Sequence, residues 1–379
     1  MELKRLLFYV ILLFINLIIK VELRQAATDN VVLKSIKGQD GDVIDCVDIY
    51  HQPAFDHPLL RDHTIKMVPS YYPEGANDNF DPIIQIWQSK GECPEGTIPI
   101  RRTKHGAISI KKKSRNIIRL YFEGSAVSSD AVDEPRHEYA VTQSSTGNYY
   151  GAMSTISVWQ PYVEGSGEFS LSQIWVAGGS GSNTNTIEVG WIVCPLLYGD
   201  NLTRLFIYWT SDNYQNTGCF DLQCSGFVQI DSSMAIGGAI TTTNHPEIIL
   251  LVWKDEDQDV WWLQYNGTVL GYWPTAIFTV LNDTSTLVEW GGEIINSNTN
   301  GIHTATDMGS GSFAQAGLGR ASYFRNLLVV NDNNTLIPPP TDTFSWASNP
   351  TCYNITAGEN GDWGNYFYYG GPGRNPNCP

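Results

Sequence analysis

From His137 onward, apolar and polar positions alternate with a period of two. Ser170-Leu171-Ser172-Gln173-Ile174-Trp175-Val176 and Thr186-Ile187-Glu188-Val189-Gly190-Trp191-Ile192 carry the pattern, and 205–210 and 248–253 are dense in β-branched and aromatic residues. Successive side chains of a strand point to opposite faces, so this alternation marks half-buried strands. Turn clusters such as Gly178-Gly179-Ser180-Gly181-Ser182-Asn183 separate the runs, and no long stretch of helical period interrupts them. Many short strands spaced by turns predict an all-β unit, an antiparallel sandwich or barrel.

The pattern before residue 137 is different. Lys4 and Arg5 precede an apolar run, 6–19, that is short for a membrane span and has the layout of a secretory signal peptide. Residues 25–100 read as a compact first unit, closed by Gly91-Glu92-Cys93-Pro94-Glu95-Gly96-Thr97-Ile98-Pro99-Ile100-Arg101-Arg102. A basic stretch follows, with Arg101, Arg102, Lys104, Lys111, Lys112, Lys113, Arg115 and Arg119, and then the small polar run 124–130. Such a run marks an exposed, protease-sensitive linker. The expected division is 1–24 signal peptide, 25–128 first unit with its basic stretch and linker, and 129–379 β body.

Charge sharpens that division. The 379-residue chain has a net charge of −16, but residues 1–128 sum to +2 and residues 129–379 to −18, with Lys254 the one lysine of the body. An acidic body excludes nucleic acid as a partner. No later segment is apolar enough to span a bilayer, so a secreted, extracellular monomer with no membrane attachment after signal removal is expected. Secretion makes the cysteines disulfide candidates. Neighbourhood along the chain suggests Cys46–Cys93, Cys219–Cys224 and Cys352–Cys378, which leaves Cys194, in the apolar run Trp191-Ile192-Val193-Cys194-Pro195, as a buried structural thiol. Asn-X-Ser/Thr sequons at Asn201, Asn266, Asn282, Asn333 and Asn354 all lie in the body and fit a glycoprotein.

Several chemistries lack their signatures. Gly-X-Ser-X-Gly and His-Glu-X-X-His are absent, and the glycines at 178–181 lack the Gly-Lys-Ser/Thr of a phosphate loop. Asp255, Asp257 and Asp259 alternate as calcium ligands can, but no sharp-turn glycine follows, so they read as a hairpin tip. Nothing calls for a metal or a cofactor. What remains is carboxylates on strands. Alternation puts Glu188 and Gly190 on the face opposite Ile187, Val189 and Trp191, and the glycine leaves room above the sheet. Glu293, in Val288-Glu289-Trp290-Gly291-Gly292-Glu293-Ile294-Ile295, repeats the combination. Two carboxylates brought together can share one proton, one activating a water while the other protonates an oxygen or nitrogen. On pattern alone Glu289 and Asp212 are rivals, and ordinary surface glutamates remain an alternative.

Longer motifs carry a resemblance. Asp45-Cys46-Val47-Asp48-Ile49-Tyr50, Gln52-Pro53-Ala54-Phe55-Asp56-His57-Pro58 and the 93–102 run resemble the neprosin activation domain. Ile187-Glu188-Val189-Gly190-Trp191, Gly218-Cys219-Phe220-Asp221-Leu222-Gln223-Cys224, Trp290-Gly291-Gly292-Glu293-Ile294 and Thr304-Ala305-Thr306-Asp307-Met308-Gly309-Ser310-Gly311 resemble the catalytic domain of the same plant glutamic-peptidase family. The resemblance implies a two-sheet antiparallel β-sandwich behind a smaller propeptide domain. It also implies catalytic glutamates at Glu188 and Glu293, cleavage on the carboxyl side of proline, and an acidic working pH. Gln173, Trp175, Tyr214 and Trp290 are then candidates for orienting the water or stacking on proline.

The reading that follows is a secreted glutamic endopeptidase, made as a zymogen, acting on proline-containing peptides and held inactive by its own propeptide. The basic stretch 101–119 would be attracted to the acidic body at neutral pH and released in acid, exposing the linker at 124–134 to cleavage. A glycoside hydrolase with paired carboxylates and a non-catalytic extracellular binding protein of the same fold remain alternatives.

Overall fold

The computed structural model describes residues 31–76, 85–103, 136–242, 246–297 and 301–379. The signal segment 1–24, both expected unit boundaries, the basic positions from Lys104 to Arg119 and the linker at 124–134 lie outside the described residues.

The strands run in the order β1 (Val32–Lys37), β2 (Val43–Asp48), β3 (Thr97–Arg101), β4 (Arg136–Gln143), β5 (Gly151–Ser157), β6 (Ser170–Gly178), β7 (Asn185–Val193), β8 (Arg204–Thr210), β9 (Cys219–Phe220) and β10 (Val228–Gln229). They continue with β11 (Glu247–Asp255), β12 (Val260–Tyr265), β13 (Thr268–Pro274), β14 (Leu287–Asn296), β15 (Ser322–Val330), β16 (Leu336–Ile337), β17 (Phe344–Ala347), β18 (Asn354–Asn360) and β19 (Gly364–Gly370). A seven-stranded sheet has the order β17-β4-β14-β6-β7-β8-β9, and a nine-stranded sheet the order β10-β13-β12-β11-β5-β15-β19-β18 with β16 beside β15. All their ladders are antiparallel. The inner faces meet in one core, with Ile174, Val189, Trp191, Ile207 and Trp290 facing Ile156, Leu250, Val252, Trp261 and Trp273. The two-sheet sandwich expected from the alternation and the resemblance is the fold observed.

The first unit is a three-stranded sheet, β1-β2-β3, with short turns between β2 and β3. Among its described residues it has no core of any size of its own. Ile49, Leu60 and Ile98 enter the core of the sandwich itself, and the small cluster of Ile36, Ile44, Cys46 and Trp87 borrows Ala235 from the body. Alternation cannot show this, because it marks a buried face without saying what buries it.

Side-chain amides tie the two parts together. Gln229 N–H donates to Gln52 Oε1 at 2.7 Å while Gln52 Nε2 donates to Gln229 O at 3.0 Å, and Gln85 makes the same exchange with Ala235 at 2.8 Å each way. Beside them lies a buried ion network. Asp42 receives Arg101 Nε at 2.8 Å and Arg204 Nη1 at 2.6 Å, Arg204 also reaches Asp200 at 2.7 Å, and both guanidinium groups sit over the Tyr198 ring. Arg101 therefore binds inside this network, whereas Arg102 pairs with Asp45 of its own unit. Of the basic stretch 101–119, only Arg101 and Arg102 are basic positions among the described residues, and Arg101 meets the body inside a buried alternation of charges.

The disulfides are Cys46–Cys93, Cys219–Cys224 and Cys352–Cys378, and Cys194 is the free, buried thiol, pushed up to about 12 by burial. Of the sequon asparagines, Asn201, Asn282 and Asn333 are exposed, whereas Asn266 and Asn354 are half-buried. The 255–259 segment is a hairpin tip, with Asp255 buried and bonded to Trp262 Nε1.

Candidate active site

Register places the carboxylates. β6 lies between β14 and β7, and its Trp175 is paired with Glu289 on one side and Glu188 on the other. Gln173, two residues away on the same face, is paired with Gly291 and Gly190, and Leu171 with Glu293. Glu188, Glu289 and Glu293 therefore share the outer face of the seven-stranded sheet, the face away from the sandwich core. Aromatic residues frame it, with Tyr208 opposite Glu188 on β8 and Tyr139 opposite Glu293 on β4.

The glycines next to the carboxylates do more than leave space. A Cβ on Gly190 would lie 2.0 Å from Ser172 O and 2.8 Å from Gln173 Cβ, and one on Gly291 would lie 2.4 Å from Ala140 O. The close approach at Gly190 packs β7 against Gln173, whose Nε2 donates to Glu188 Oε2 at 3.2 Å, while that at Gly291 packs β14 against β4. Gln173 Oε1 is buried with no hydrogen-bond partner among the described residues.

Glu188 is buried and accepts two further hydrogen bonds, from Thr186 Oγ1 at 2.8 Å and Tyr214 OH at 2.7 Å. Burial pushes its carboxyl up to about 7, the charge of Glu293 adds to the rise, and the Tyr214, Thr186 and Gln173 bonds hold it back. Tyr214 reaches the site because Asn213 and Tyr214 both adopt positive φ, 55° and 61°. That conformation is costly for an aromatic residue, and Asp212 braces it by accepting from Asn216 N–H at 2.8 Å and Thr217 Oγ1 at 2.6 Å. Burial raises the Asp212 carboxyl, but these bonds outweigh burial and hold it below the usual range. Asp212 is thus a loop brace. Glu289 is raised to about 7 by burial and by the charge of Glu293.

Glu293 is buried as well, and two side chains of β4 converge on it. His137 Nδ1 bonds Glu293 Oε1, and Tyr139 hydrogen-bonds the same carboxylate. The His137 ring stacks on Tyr139 with centroids 6.2 Å apart and meets Phe169 edge-on at 6.0 Å.

The neprosin family profile matches residues 166–372, and the neprosin activation-peptide profile matches 35–143. The chain belongs to the neprosin family. Membership places it among glutamic-type peptidases made with an activation peptide, ahead of the glycoside-hydrolase alternative. Solved structures similar to it include scytalido-glutamic peptidase with a peptide-based transition-state analog, at 11% identity over 63% of this chain and 99% of that one, TM-score 0.36. SCP-B, an Eqolisin-family peptidase in complex with the tripeptide Ala-Ile-His, matches at 9% identity over 62% and 98%, TM-score 0.32. A β-porphyranase from Bacteroides plebeius matches at 8% over 39% and 53%, TM-score 0.22.

Within this neprosin-family sheet, four of the residues singled out from sequence lie together on the outer face or its rim: Glu188, Glu293, Gln173 and Trp175. Tyr214 joins them from its loop. Trp290 does not. It stands on the even-numbered side of β14 with Val288 and is buried in the core between the sheets, so it is a packing residue. Proximity to Glu293 in sequence was misleading, because alternation sends the two to opposite faces. His137 and Tyr139 escaped sequence reading. Their signal is an imidazole and a phenol at i and i+2 of a strand, legible only once β4 is known to pair with β14.

Proposed function

We propose that this protein is a secreted endopeptidase that cuts on the carboxyl side of proline in acid, using Glu188 and Glu293. The observation that carries the reading is two buried glutamates on one face in different surroundings: a Glu188 carboxyl raised to about 7, and a Glu293 on which His137 and Tyr139 converge. In acid Glu188 holds its proton. Glu293, oriented by His137 and Tyr139, takes a proton from water as the water oxygen attacks the scissile carbonyl carbon. Glu188 donates its proton to the carbonyl oxygen. The proton on Glu293 then passes to the leaving nitrogen as the C–N bond breaks, and Glu188 recovers its own from the tetrahedral intermediate. Gln173 Oε1 is an acceptor for the second hydrogen of the water. Trp175, between the carboxylates, offers an aromatic surface for proline.

The test is cleavage of a proline-containing reporter peptide after acid incubation, with Glu188→Gln and Glu293→Gln beside the wild type. Both substitutions are expected to lower kcat by at least a thousandfold with the fold retained. A folded Glu293→Gln that cuts normally would overturn the assignment.

A further inference from the structure

A groove on the outer face of the nine-stranded sheet is filled by a segment of the protein's own activation unit. Residues 64–73 cross that face with neither helix nor strand, yet they are held at short intervals through their main chain. Tyr272 OH accepts from Lys66 N–H at 2.9 Å, and Gln258 Nε2 donates to Val68 O at 3.0 Å. Asp255 Oδ2 accepts from Ser70 N–H at 2.7 Å, Trp253 Nε1 donates to Tyr71 O at 3.1 Å, and Asn334 Nδ2 donates to Tyr72 O at 3.0 Å. Glu74 closes the series, giving its N–H to Asn334 O at 2.8 Å and taking Leu336 N–H at 2.9 Å. The floor is apolar and aromatic, with Leu251, Trp253, Trp262 and Tyr272 buried under the segment and Tyr72 tilted over Trp253 at 5.6 Å.

Two features say what else would fit. Recognition runs through backbone groups, so it tolerates a change of sequence. The N–H groups it uses belong to residues 66, 70 and 74, and Pro69 and Pro73 fall between them. A chain with proline at the intervening positions loses no bond, and proline holds it in the open conformation such a groove requires.

We infer that, once the activation unit leaves, this groove becomes an exosite for an extended, proline- and tyrosine-containing stretch of the polypeptide substrate, remote from the bond being cut. The inference rests on the peptidase reading for its purpose but not for the binding itself. The groove and the carboxylates lie on opposite outer faces of the sandwich. A chain joining them must round a sheet edge, crossing about three strands on each face at about 4.8 Å apiece and the roughly 10 Å between layers, so at about 3.3 Å per extended residue on the order of ten or more residues must separate the two contacts. Short peptides gain nothing from the groove; long substrates gain effective concentration.

The test starts from the full chain, processed in acid or nicked with trypsin in the 104–135 connection. A fluorescent peptide of residues 64–76 is titrated into the processed protein, into Gln258→Ala and into Trp253→Phe, and cleavage of a long proline-rich polypeptide is compared with that of a short reporter. The expected result is saturable binding by the processed wild type and none by the intact chain. Binding and the long-substrate kcat/KM should each be at least tenfold weaker in both variants, with the short-reporter kcat/KM unchanged. Gln258 is partly exposed on a hairpin, so its truncation keeps the inference testable if Trp253→Phe fails to fold. Absence of peptide binding, an activation unit that stays attached after the cut, or variants that bind as the wild type does would each overturn it. Binding without reporter cleavage would sink the peptidase reading and leave the groove standing; cleavage without binding would do the reverse.

Discussion

Tyr214 makes the residue scale measurable. Its hydroxyl lowers the Glu188 carboxyl against a larger upward push from burial. Tyr214→Phe removes the bond and leaves the burial, so the Glu188 carboxyl moves further up and stays protonated to higher pH. If Glu188 is the acid, the alkaline limb of the kcat–pH profile, expected near 7 in the wild type, shifts upward in the variant while kcat in acid changes less. An unmoved limb would mean that another group sets it. The sign for stability is the same. A carboxyl raised in the fold favours the fold below the ordinary carboxylate pKa and loses that contribution as pH rises through about 7. The site thus favours the folded state in acid, where the proposed chemistry operates.

At the scale of elements, β4 and the β6–β7 pair decide the site. β4 pairs with β14 from Gln143–Glu289 through Arg136–Asn296 and delivers His137 and Tyr139 to Glu293. The activation-peptide profile extends over this strand to residue 143, so the profile's end cannot be the processing point if the site is to survive. N-terminal sequencing of the active form should find its first residue at or before Arg136; an active enzyme beginning after Tyr139 would remove β4 from the mechanism. Gly190→Ala probes the neighbouring pair. Its methyl would collide with the Ser172 carbonyl, a strain of about 3 kcal/mol, and would press on Gln173. Thermal unfolding several degrees lower, with reduced kcat, is the expected result, and a neutral substitution would contradict the register.

For the whole molecule, the question is what holds the activation unit. Asp42 lies buried between Arg101 of its own unit and Arg204 of the body. Asp42→Asn removes the negative charge from between two buried cations, and breaking a buried pair of this kind costs about 3–5 kcal/mol. Processing of the intact chain at neutral pH should become faster, as read from the rate of appearance of the mature band on a gel. An unchanged rate would mean that the apolar contacts alone hold the unit. Asp200 adds a pH dependence of its own: burial raises its carboxyl, but the Arg204 hydrogen bond and charge outweigh burial and lower it. A lowered carboxyl stabilises the folded body above its unfolded pKa, and the contribution is lost as pH falls through the lowered value. Most of that contribution stays inside the body, where Asp200 and Arg204 share it; the part that crosses to the activation unit is the charge of Arg101, 3.9 Å from Asp200.

Local physics wrote part of this protein into its sequence. The period of two dictates strands, and the lack of any competing helical period leaves a sheet protein. Alternation alone places Glu188 and Gly190 on the face opposite Trp191, because a strand cannot turn one residue without turning its neighbours. The same rule, applied with strand bounds in hand, sends Trp290 inward. Pairing of β4 with β14, which brings His137 and Tyr139 to a glutamate some 150 residues away, and the laying of 64–73 across the second sheet were decided only by the tertiary structure. Both depend on which buried face meets which, and a hydrophobic face carries no address for its partner until the whole chain has packed.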